Sequence, residues 1–139
     1  MINNSEIYEI LNNLGLDEDE IKSINRRNKL LDETIADDVS DVVDFFSIKC
    51  NLKEDDIARI IIKNPLILNE SFERINTLSE IYKKIGFDGD EYKKYIVNYD
   101  KAFSLNPKEV IEGITNLMNE GKNLEEIRSI MVERASRIF

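Results

Sequence analysis

Apolar side chains recur at intervals of three and four residues in four pairs of segments separated by short polar stretches. This spacing places the apolar residues of a segment on one face of a helix, so the pattern predicts four pairs of amphipathic helices. The first helices of the pairs carry Ile7, Ile10, Leu11 and Leu14; Val39, Val42, Val43 and Phe46; Ile75, Leu78, Ile81, Tyr82 and Ile85; and Val110, Ile114, Leu117 and Met118. The second helices carry Ile21 and Ile24; Ile57, Ile60 and Ile61; Tyr92, Tyr95 and Ile96; and Ile127, Ile130 and Met131.

The junction between the two helices of each pair has its own signature: a small or polar residue, an apolar residue, then mostly acidic residues. The signature starts at Gly15, Asn51, Gly86 and Gly121, at intervals of 36, 35 and 35 residues. A fixed period of this size is typical of helical repeat arrays. We therefore predict an all-α fold, a right- or left-handed α-solenoid of about four two-helix repeats; the alternative is a compact, irregular helical bundle. The chain would form a single helical-repeat domain, with repeats at approximately residues 5–36, 37–70, 71–105 and 106–139.

The acidic residues of the signature have a structural explanation as helix caps. A capping side chain three residues before a carboxylate allows each side chain to bond a free backbone N–H of the other residue. The predicted capping boxes are Asp17 with Glu20, Asp88 with Glu91, and Asn123 with Glu126.

A divalent-cation site is the alternative interpretation of the same acidic clusters. A calcium loop requires a glutamate eleven residues after its first aspartate. That position is Asn28 when counted from Asp17 and Tyr99 when counted from Asp88. The sequence therefore favours capping over metal binding.

Composition narrows the function classes. The 139 residues include 28 acidic and 19 basic side chains, no histidine and one cysteine, Cys50. The net charge of −9 is a prior against generic binding to nucleic acid or anionic membranes. Without histidine, zinc sites of the common type and His-based triads are absent, so we expect a non-catalytic protein with no metal and no cofactor. Cys50 ends an apolar stripe and is interpreted as a small buried hydrophobe.

No apolar run is long enough to span a bilayer, and the N-terminal residues lack the pattern of a secretory signal. We therefore expect a cytoplasmic protein with no membrane partner.

The second repeat resembles a known family. Residues 51–68 read NLKEDDIARIIIKNPLIL. This segment resembles the repeat of the mitochondrial transcription termination factor (mTERF) family, in which a small and an apolar residue precede a capped helix with paired aliphatics, then a proline and further aliphatics. The resemblance implies a curved solenoid with two α-helices and a short 3₁₀ turn per repeat, and binding of double-stranded nucleic acid through a basic groove. Lys29, Asp100 and Ala135 stand where this repeat has Pro65.

Basic residues gather toward the C-terminal ends of the second helices, where phosphate groups could be contacted. Arginine is well suited to such contacts. The candidate nucleic-acid-binding residues are Arg26, Arg27, Lys29, Arg59, Lys63, Lys101, Arg134 and Arg137. The competing interpretation is that cations in the last turn simply complement the helix dipole.

Two other functions fit the acidic surface. An acidic protein-interaction solenoid could bind a peptide or a basic protein partner, and an acidic inhibitor could mimic nucleic acid. Tyr92, Tyr95 and Tyr99 could stack on bases, but their helical spacing favours a packing stripe with hydroxyls reaching the surface. We expect a monomer in which Ile138 and Phe139 fold back; the alternative is a dimer through residues 123–139.

Overall fold

The computed structural model describes residues 5–136, with side chains described through residue 134. These residues form eight α-helices and contain no β-strand, which confirms the predicted all-α class for the described part of the chain. The helices are α1 (Ser5–Asn13), α2 (Glu18–Arg27), α3 (Ala36–Asp44), α4 (Glu54–Lys63), α5 (Phe72–Lys84), α6 (Gly89–Asn98), α7 (Pro107–Asn119) and α8 (Leu124–Ser136). Two 3₁₀ turns lie at Leu31–Glu33 and Pro65–Asn69, and a π turn lies at Phe45–Lys49.

The chain divides into two compact units, Met1–Phe72 and Glu73–Phe139, called unit 1 and unit 2 below. Unit 1 contains α1 to α4 with both 3₁₀ turns and the π turn, and unit 2 contains α5 to α8. Each unit thus holds two of the four predicted helix pairs. The arrangement of all four repeats as a solenoid stays a prediction.

The predicted apolar stripes form the cores of the units. In α1 and α3, for example, Ile7, Leu11 and Val39 are fully buried. The prediction is wrong for Met118, whose side chain is 53% exposed. The packed stripe of α7 runs through Ile114 and leaves Met118 at its edge.

The four residues that start the periodic signature share one backbone conformation. Gly15, Asn51, Gly86 and Gly121 all have positive φ, at +87°, +53°, +99° and +91°. In this left-handed region a residue ends a helix and turns the chain, which glycine does without steric cost. Two hydrogen bonds show the same ending in unit 2: the Phe87 N–H donates to the Tyr82 carbonyl at 3.1 Å, and the Lys122 N–H donates to the Leu117 carbonyl at 3.1 Å. The sequence period therefore records the C-terminal cap of each first helix.

The π turn explains why the first interval is 36 residues and the others are 35. A π turn accommodates one extra residue in a helix, because its hydrogen bonds join residues five apart. Here the Cys50 N–H donates to the Phe45 carbonyl at 3.1 Å. The Leu52 N–H donates to the Phe46 carbonyl at 3.0 Å, one residue further back than the corresponding bond from Phe87. The extra residue is thus absorbed before the cap, and Cys50 stays buried as predicted.

Two of the three predicted capping boxes are confirmed. At the start of α2, the Glu20 N–H donates to Asp17 Oδ1 at 2.8 Å, and the Asp17 N–H donates to Glu20 Oε1 at 3.0 Å. At the start of α8, Asn123 and Glu126 make the same pair of bonds at 2.8 and 3.1 Å. Four acidic or amide side chains of the signature are therefore structural.

The predicted capping box of Asp88 with Glu91 is wrong. The Asp88 side chain makes no capping hydrogen bond, although the residue lies at the N-cap of α6. Glu91 Oε1 lies 3.1 Å from Arg128 Nε, and Arg128 Nη1 donates to the Ile85 carbonyl at 2.7 Å. Gly86 makes this approach feasible, because a Cβ at its position would lie 2.3 Å from Arg128 Nη1. Arg128 of α8 therefore pairs with Glu91, the carboxylate that the sequence predicted would cap α6.

The core of unit 2 is built around aromatic rings. Tyr82 is fully buried, contacts Tyr95 edge to face at a centroid separation of 5.1 Å, and donates its hydroxyl to the Ala102 carbonyl. Tyr92, Tyr95 and Tyr99 are buried, which confirms the packing interpretation of these tyrosines. The expectation that their hydroxyls reach the surface is wrong for Tyr92, whose hydroxyl lies 2.6 Å from that of the buried Ser79. A hydroxyl paired in this way costs little to bury.

Candidate nucleic-acid interface

The predicted basic residues of unit 1 lie where two second helices end. Helices α2 and α4 end at equivalent C-cap residues, Asn28 and Asn64, in nearly the same backbone conformation. The Asn28 N–H donates to the Ile24 carbonyl and the Asn64 N–H to the Ile60 carbonyl, both at 2.9 Å. The two helices pack against each other within unit 1.

The buried side chain of Asn28 fixes these two helix ends together. Its Nδ2 donates to the Pro65 carbonyl at 2.9 Å and to the Asn69 side chain, both in the 3₁₀ turn that follows α4. Its Oδ1 accepts from the Leu30 N–H at 3.2 Å. Because Asn28 caps α2 and reaches the turn after α4, the C-terminal ends of both helices lie at the same end of unit 1.

Arg26, Arg27 and Lys29 surround this cap and are exposed. None of the three forms an ion pair with a carboxylate among the described residues. Arg27 and Lys63 occupy equivalent positions, 36 residues apart, on the packed pair α2 and α4. Packed helices have axes about 8–10 Å apart, so these two exposed cations lie side by side on that scale.

Arg59 lies one turn before the end of α4 and is partly engaged. Its Nη1 is 3.9 Å from Asp56 Oδ1, and the side chains of Arg59 and Asp56 are 53% and 32% exposed. Ion pairs of this kind contribute about 0.5 kcal/mol or less. The pair therefore leaves Arg59 able to exchange partners.

Carboxylates also lie at this end of unit 1. Because α3 begins where α2 and the first 3₁₀ turn end, the side chains of Asp32, Glu33, Asp37 and Asp38 follow the cations directly. The end of unit 1 that carries these cations therefore also carries carboxylates.

In unit 2 the predicted cations are fewer and separate in sequence. Lys101 is exposed in the turn after α6, and Arg134 is exposed in the last turn of α8. Arg134 also lines an open, mainly apolar cleft of about 180 Å³, together with Tyr95 and Met131. Arg137, like Ile138 and Phe139, lies outside the described residues.

The buried tyrosines beside this cleft are held in the neutral state. Burial raises the pKa of Tyr82 and of Tyr95 well above the ordinary value; Tyr95 raises the pKa of Tyr82 further, whereas Tyr99 raises and the hydrogen bond with Tyr82 lowers the pKa of Tyr95. Burial, followed by the charge of Asp100, also raises the pKa of Tyr99. The hydroxyls of Tyr82 and Tyr95 act as hydrogen-bonding groups of the core at neutral pH.

The described residues 5–136 also bear on metal binding and on membrane insertion. Within that range, no cluster of three or more cysteine or carboxylate side chains has the geometry to hold a metal ion. No helix in the described part of the chain is long and apolar enough to cross a membrane.

Comparison with known families decides the relationship of the chain. A family model described as mTERF matches residues 2–131, which is almost the whole sequence. The chain belongs to the mTERF family. Members of the mTERF family are helical-repeat regulators that bind nucleic acid, so membership favours nucleic-acid binding here. No curated protein and no solved structure matches the chain.

One group of surface residues was missed by the sequence interpretation. Leu30, Ile35 and Leu66 are 55%, 63% and 49% exposed, although they are large and aliphatic. Leu30 and Leu66 are equivalent residues of successive repeats, 36 positions apart. Alignment of the repeats could have paired them, but only the structure shows that both point to solvent.

Proposed function

We propose that this mTERF-family chain is a non-catalytic helical-repeat module that binds nucleic acid through its phosphates. Arg26, Arg27, Lys29 and Lys63 at the ends of α2 and α4 make the main contacts, and Arg59 supports them. Lys101, Arg134 and Arg137 are secondary candidates. The cytoplasmic location stays a prediction.

The observation that carries this proposal is the set of three exposed cations around the Asn28 cap, none paired with a carboxylate in the described part of the chain, in a member of this family. A cation already paired with a carboxylate must lose that partner before it meets a phosphate, whereas Arg26, Arg27 and Lys29 form no ion pair with a carboxylate of the described residues. Exposed charges of this kind also steer polyanions by long-range attraction.

The proposal is tested by fluorescence anisotropy with labelled duplex DNA, duplex RNA and single strands over a series of salt concentrations. Each phosphate contact with duplex DNA lowers the logarithm of the affinity by about 0.9 per decade of salt. Removing two contacts with Arg26→Gln/Arg27→Gln should weaken binding and reduce that slope by about 2. No binding to any of the probes at low salt would refute the proposal.

A matched control removes the same amount of charge elsewhere in unit 1. Lys49 and Lys53 are exposed and lie just before α4, at the end opposite to the Asn28 cap. The variant Lys49→Gln/Lys53→Gln should therefore keep the salt slope of the parent protein. An equal loss in both double variants would mean that only overall charge matters and that no contact is local.

The charge of unit 1 favours a second candidate, binding of a basic protein or peptide. Residues 1–72 carry 16 acidic and 8 basic side chains, and residues 73–139 carry 12 and 11. The first turns of α2 and α4 add six carboxylates at equivalent positions, Glu18, Asp19 and Glu20 with Glu54, Asp55 and Asp56. An acidic surface attracts cationic partners. A pull-down that recovers the same basic protein after nuclease treatment, together with no anisotropy signal, would favour this candidate.

A further inference from the structure

The junction before α6 differs from the matching junction before α2. Asp17 and Asp88 are equivalent N-cap residues with nearly the same extended ψ, 174° and 170°. The Asp17 side chain accepts from the Glu20 N–H, whereas the Asp88 side chain makes no capping hydrogen bond. Asp88 is exposed, and its carboxylate has no hydrogen-bond or ion-pair partner among the described residues. This carboxylate can therefore turn toward the backbone that follows it.

The residue that follows Asp88 is a glycine. No other aspartate or asparagine in the 139 residues precedes a glycine. Gly89 has no Cβ to shield its backbone nitrogen, its φ is +48°, and a Cβ added there would have no neighbour within 4 Å. As the first residue of α6, Gly89 also carries an N–H with no carbonyl partner within the helix. An unshielded backbone nitrogen thus follows an uncapped carboxylate.

These two groups are the reactants of the ring closure that aspartyl-glycyl bonds undergo. The Gly89 nitrogen attacks Asp88 Cγ, and the new N–Cγ bond closes a five-membered succinimide. The amide proton and the hydroxyl of the carboxyl group, in its acid form, leave together as one water. A second water then opens the ring: opening at Cγ restores aspartate, and opening at the former backbone carbonyl gives isoaspartate. The conversion is redox-neutral and exchanges only water.

We propose that the bond between Asp88 and Gly89 is a modification site, at which the folded protein converts aspartate spontaneously to isoaspartate and so loosens the start of α6. The Asp88 carbonyl accepts the first hydrogen bond of this helix, from the Tyr92 N–H at 3.0 Å. In isoaspartate that carbonyl becomes a carboxylate outside the main chain, and the main chain gains one carbon before Gly89. The first turn of α6, including Glu91 and its ion pair with Arg128, then loses this attachment. The proposal goes beyond nucleic-acid binding and does not depend on it.

The first test ages the full chain in neutral buffer at body temperature for several weeks and maps its tryptic peptides by chromatography and mass spectrometry. The peptide of residues 85–93 should divide into two peaks of equal mass, with a minor species lighter by one water. An isoaspartyl methyltransferase should label the new peak, and fragment spectra should locate isoaspartate at Asp88 and not at Asp90 or Asp17. Absence of isoaspartate at Asp88 in the aged protein would overturn the proposal.

A second test separates the folded structure from the dipeptide itself. Glu18→Gly places a glycine after Asp17, whose side chain keeps its bond to the Glu20 N–H. One molecule then contains two aspartates that precede a glycine, and only Asp88 lacks the capping bond. Isoaspartate should accumulate faster at Asp88 than at Asp17 in the folded variant, and at comparable rates in guanidinium chloride. Equal rates in the folded variant, with its helices intact by circular dichroism, would mean that the missing cap is not the cause and that the proposal is wrong.

The effect on α6 is measured by hydrogen exchange on the aged protein. Molecules that carry isoaspartate should lose protection at Tyr92 and the residues after it, while α2 keeps its protection. The matched control is Asp88→Glu, which keeps a carboxylate but would have to close a six-membered ring, a much slower reaction. Aged Asp88→Glu should therefore keep a single peptide and its original exchange pattern. Unchanged exchange in α6 of isoaspartate-bearing molecules would contradict the proposed loosening. None of these measurements uses nucleic acid, so their outcome is independent of the anisotropy experiment.

Discussion

Units 1 and 2 build the same turns with different chemistry. The turns that follow α2, α4 and α6 are alike. In each turn a buried residue, Leu31, Ile67 or Ala102, donates its backbone N–H to the carbonyl of the residue three positions before it. In unit 1 the turns are held by the side chain of the buried Asn28, whereas in unit 2 the hydroxyl of Tyr82 bonds the turn at Ala102. The repeat therefore specifies backbone geometry, and the side chain that bonds a carbonyl of the turn is an amide in unit 1 and a phenol in unit 2.

The surfaces of the two units differ more than their backbones. The position occupied by Arg27 and Lys63 in unit 1 is occupied by Asn98 and Glu133 in unit 2. The net charge is −8 for residues 1–72 and −1 for residues 73–139. The cationic pair at adjacent helix ends is thus confined to unit 1, the more acidic unit. The two units therefore differ both in net charge and in the placement of their cations.

The largest loss of stability is expected from a substitution in the aromatic core of unit 2. Tyr82→Ala removes a fully buried ring and its hydroxyl and should cost about 3–5 kcal/mol of unfolding free energy. Urea denaturation followed by circular dichroism measures the loss. The control in unit 1 is Tyr8→Ala, at a ring that is 38% exposed, where a loss below about 1 kcal/mol is expected. Similar losses at both positions would contradict the central role of Tyr82.

High pH should lower the stability of unit 2 through its buried tyrosines. The folded pKa values of Tyr82 and Tyr95 lie above the ordinary value of 10.0, so the native state keeps protons that the unfolded chain releases. The resulting stability is fully present below about pH 10 and falls as pH rises toward the folded pKa values. The slope is about 1.4 kcal/mol per pH unit for each tyrosine.

A titration of tyrosinate absorbance with parallel circular dichroism checks this expectation. Tyrosinate formation at Tyr82 and Tyr95 in unit 2 should coincide with loss of helix. Ionisation of Tyr82 and Tyr95 near pH 10 with the helices intact would refute the burial argument.

The amide that holds the turns of unit 1 should have a smaller effect. Asn28→Ala leaves the Pro65 carbonyl and the Leu30 N–H without their partner and should cost about 1–3 kcal/mol. Hydrogen exchange should locate the loss at residues 28–35 and 64–70. Asn12→Ala, at an exposed position of α1, is the control and should change stability by less than about 0.5 kcal/mol. A loss spread evenly over unit 1 would argue against a local lock.

The smallest difference in stability is expected between substitutions of equivalent glycines in the two units. Gly15→Ala forces an L residue into positive φ, with no neighbour within 4 Å of the new Cβ, and should cost about 1–2 kcal/mol. Gly86→Ala carries the same backbone cost and also displaces Arg128 from the Ile85 carbonyl. Thermal denaturation should therefore show the larger loss for Gly86→Ala. Equal losses would mean that Arg128 moves aside without cost.

Most of the local architecture could be predicted from sequence because it depends on near neighbours. The helix pairs, the periodic cap at Gly15 and its equivalents, and the capping boxes of Asp17 and Asn123 all follow from short-range spacing. The family resemblance drawn from residues 51–68 is confirmed by the match over residues 2–131. Near neighbours were not enough for Glu91, because its partner, Arg128, lies 37 residues away.

The candidate interface could be predicted less completely. The cations at the ends of α2 and α4 could be identified from the sequence. Their common location could not, because it depends on a contact between Asn28 and Pro65, 37 residues apart. The exposure of Leu30 and Leu66 could not be predicted either, since aliphatic residues in a turn can point into the core, as Leu31 and Ile67 do. Side-chain direction in a turn is set by backbone angles that composition does not encode.

The π turn at Phe45–Lys49 has a consequence for how such chains are compared. Counting back from Gly121 in steps of 35 residues reaches Gly86 and Asn51, and then Leu16 instead of Gly15. Every position before the π turn is displaced by one, so an alignment without a gap would equate buried residues with exposed ones throughout the first repeat. The extra residue of the π turn shifts the sequence numbering of structurally equivalent positions by one. An alignment gap placed between Phe45 and Lys49 restores the equivalence.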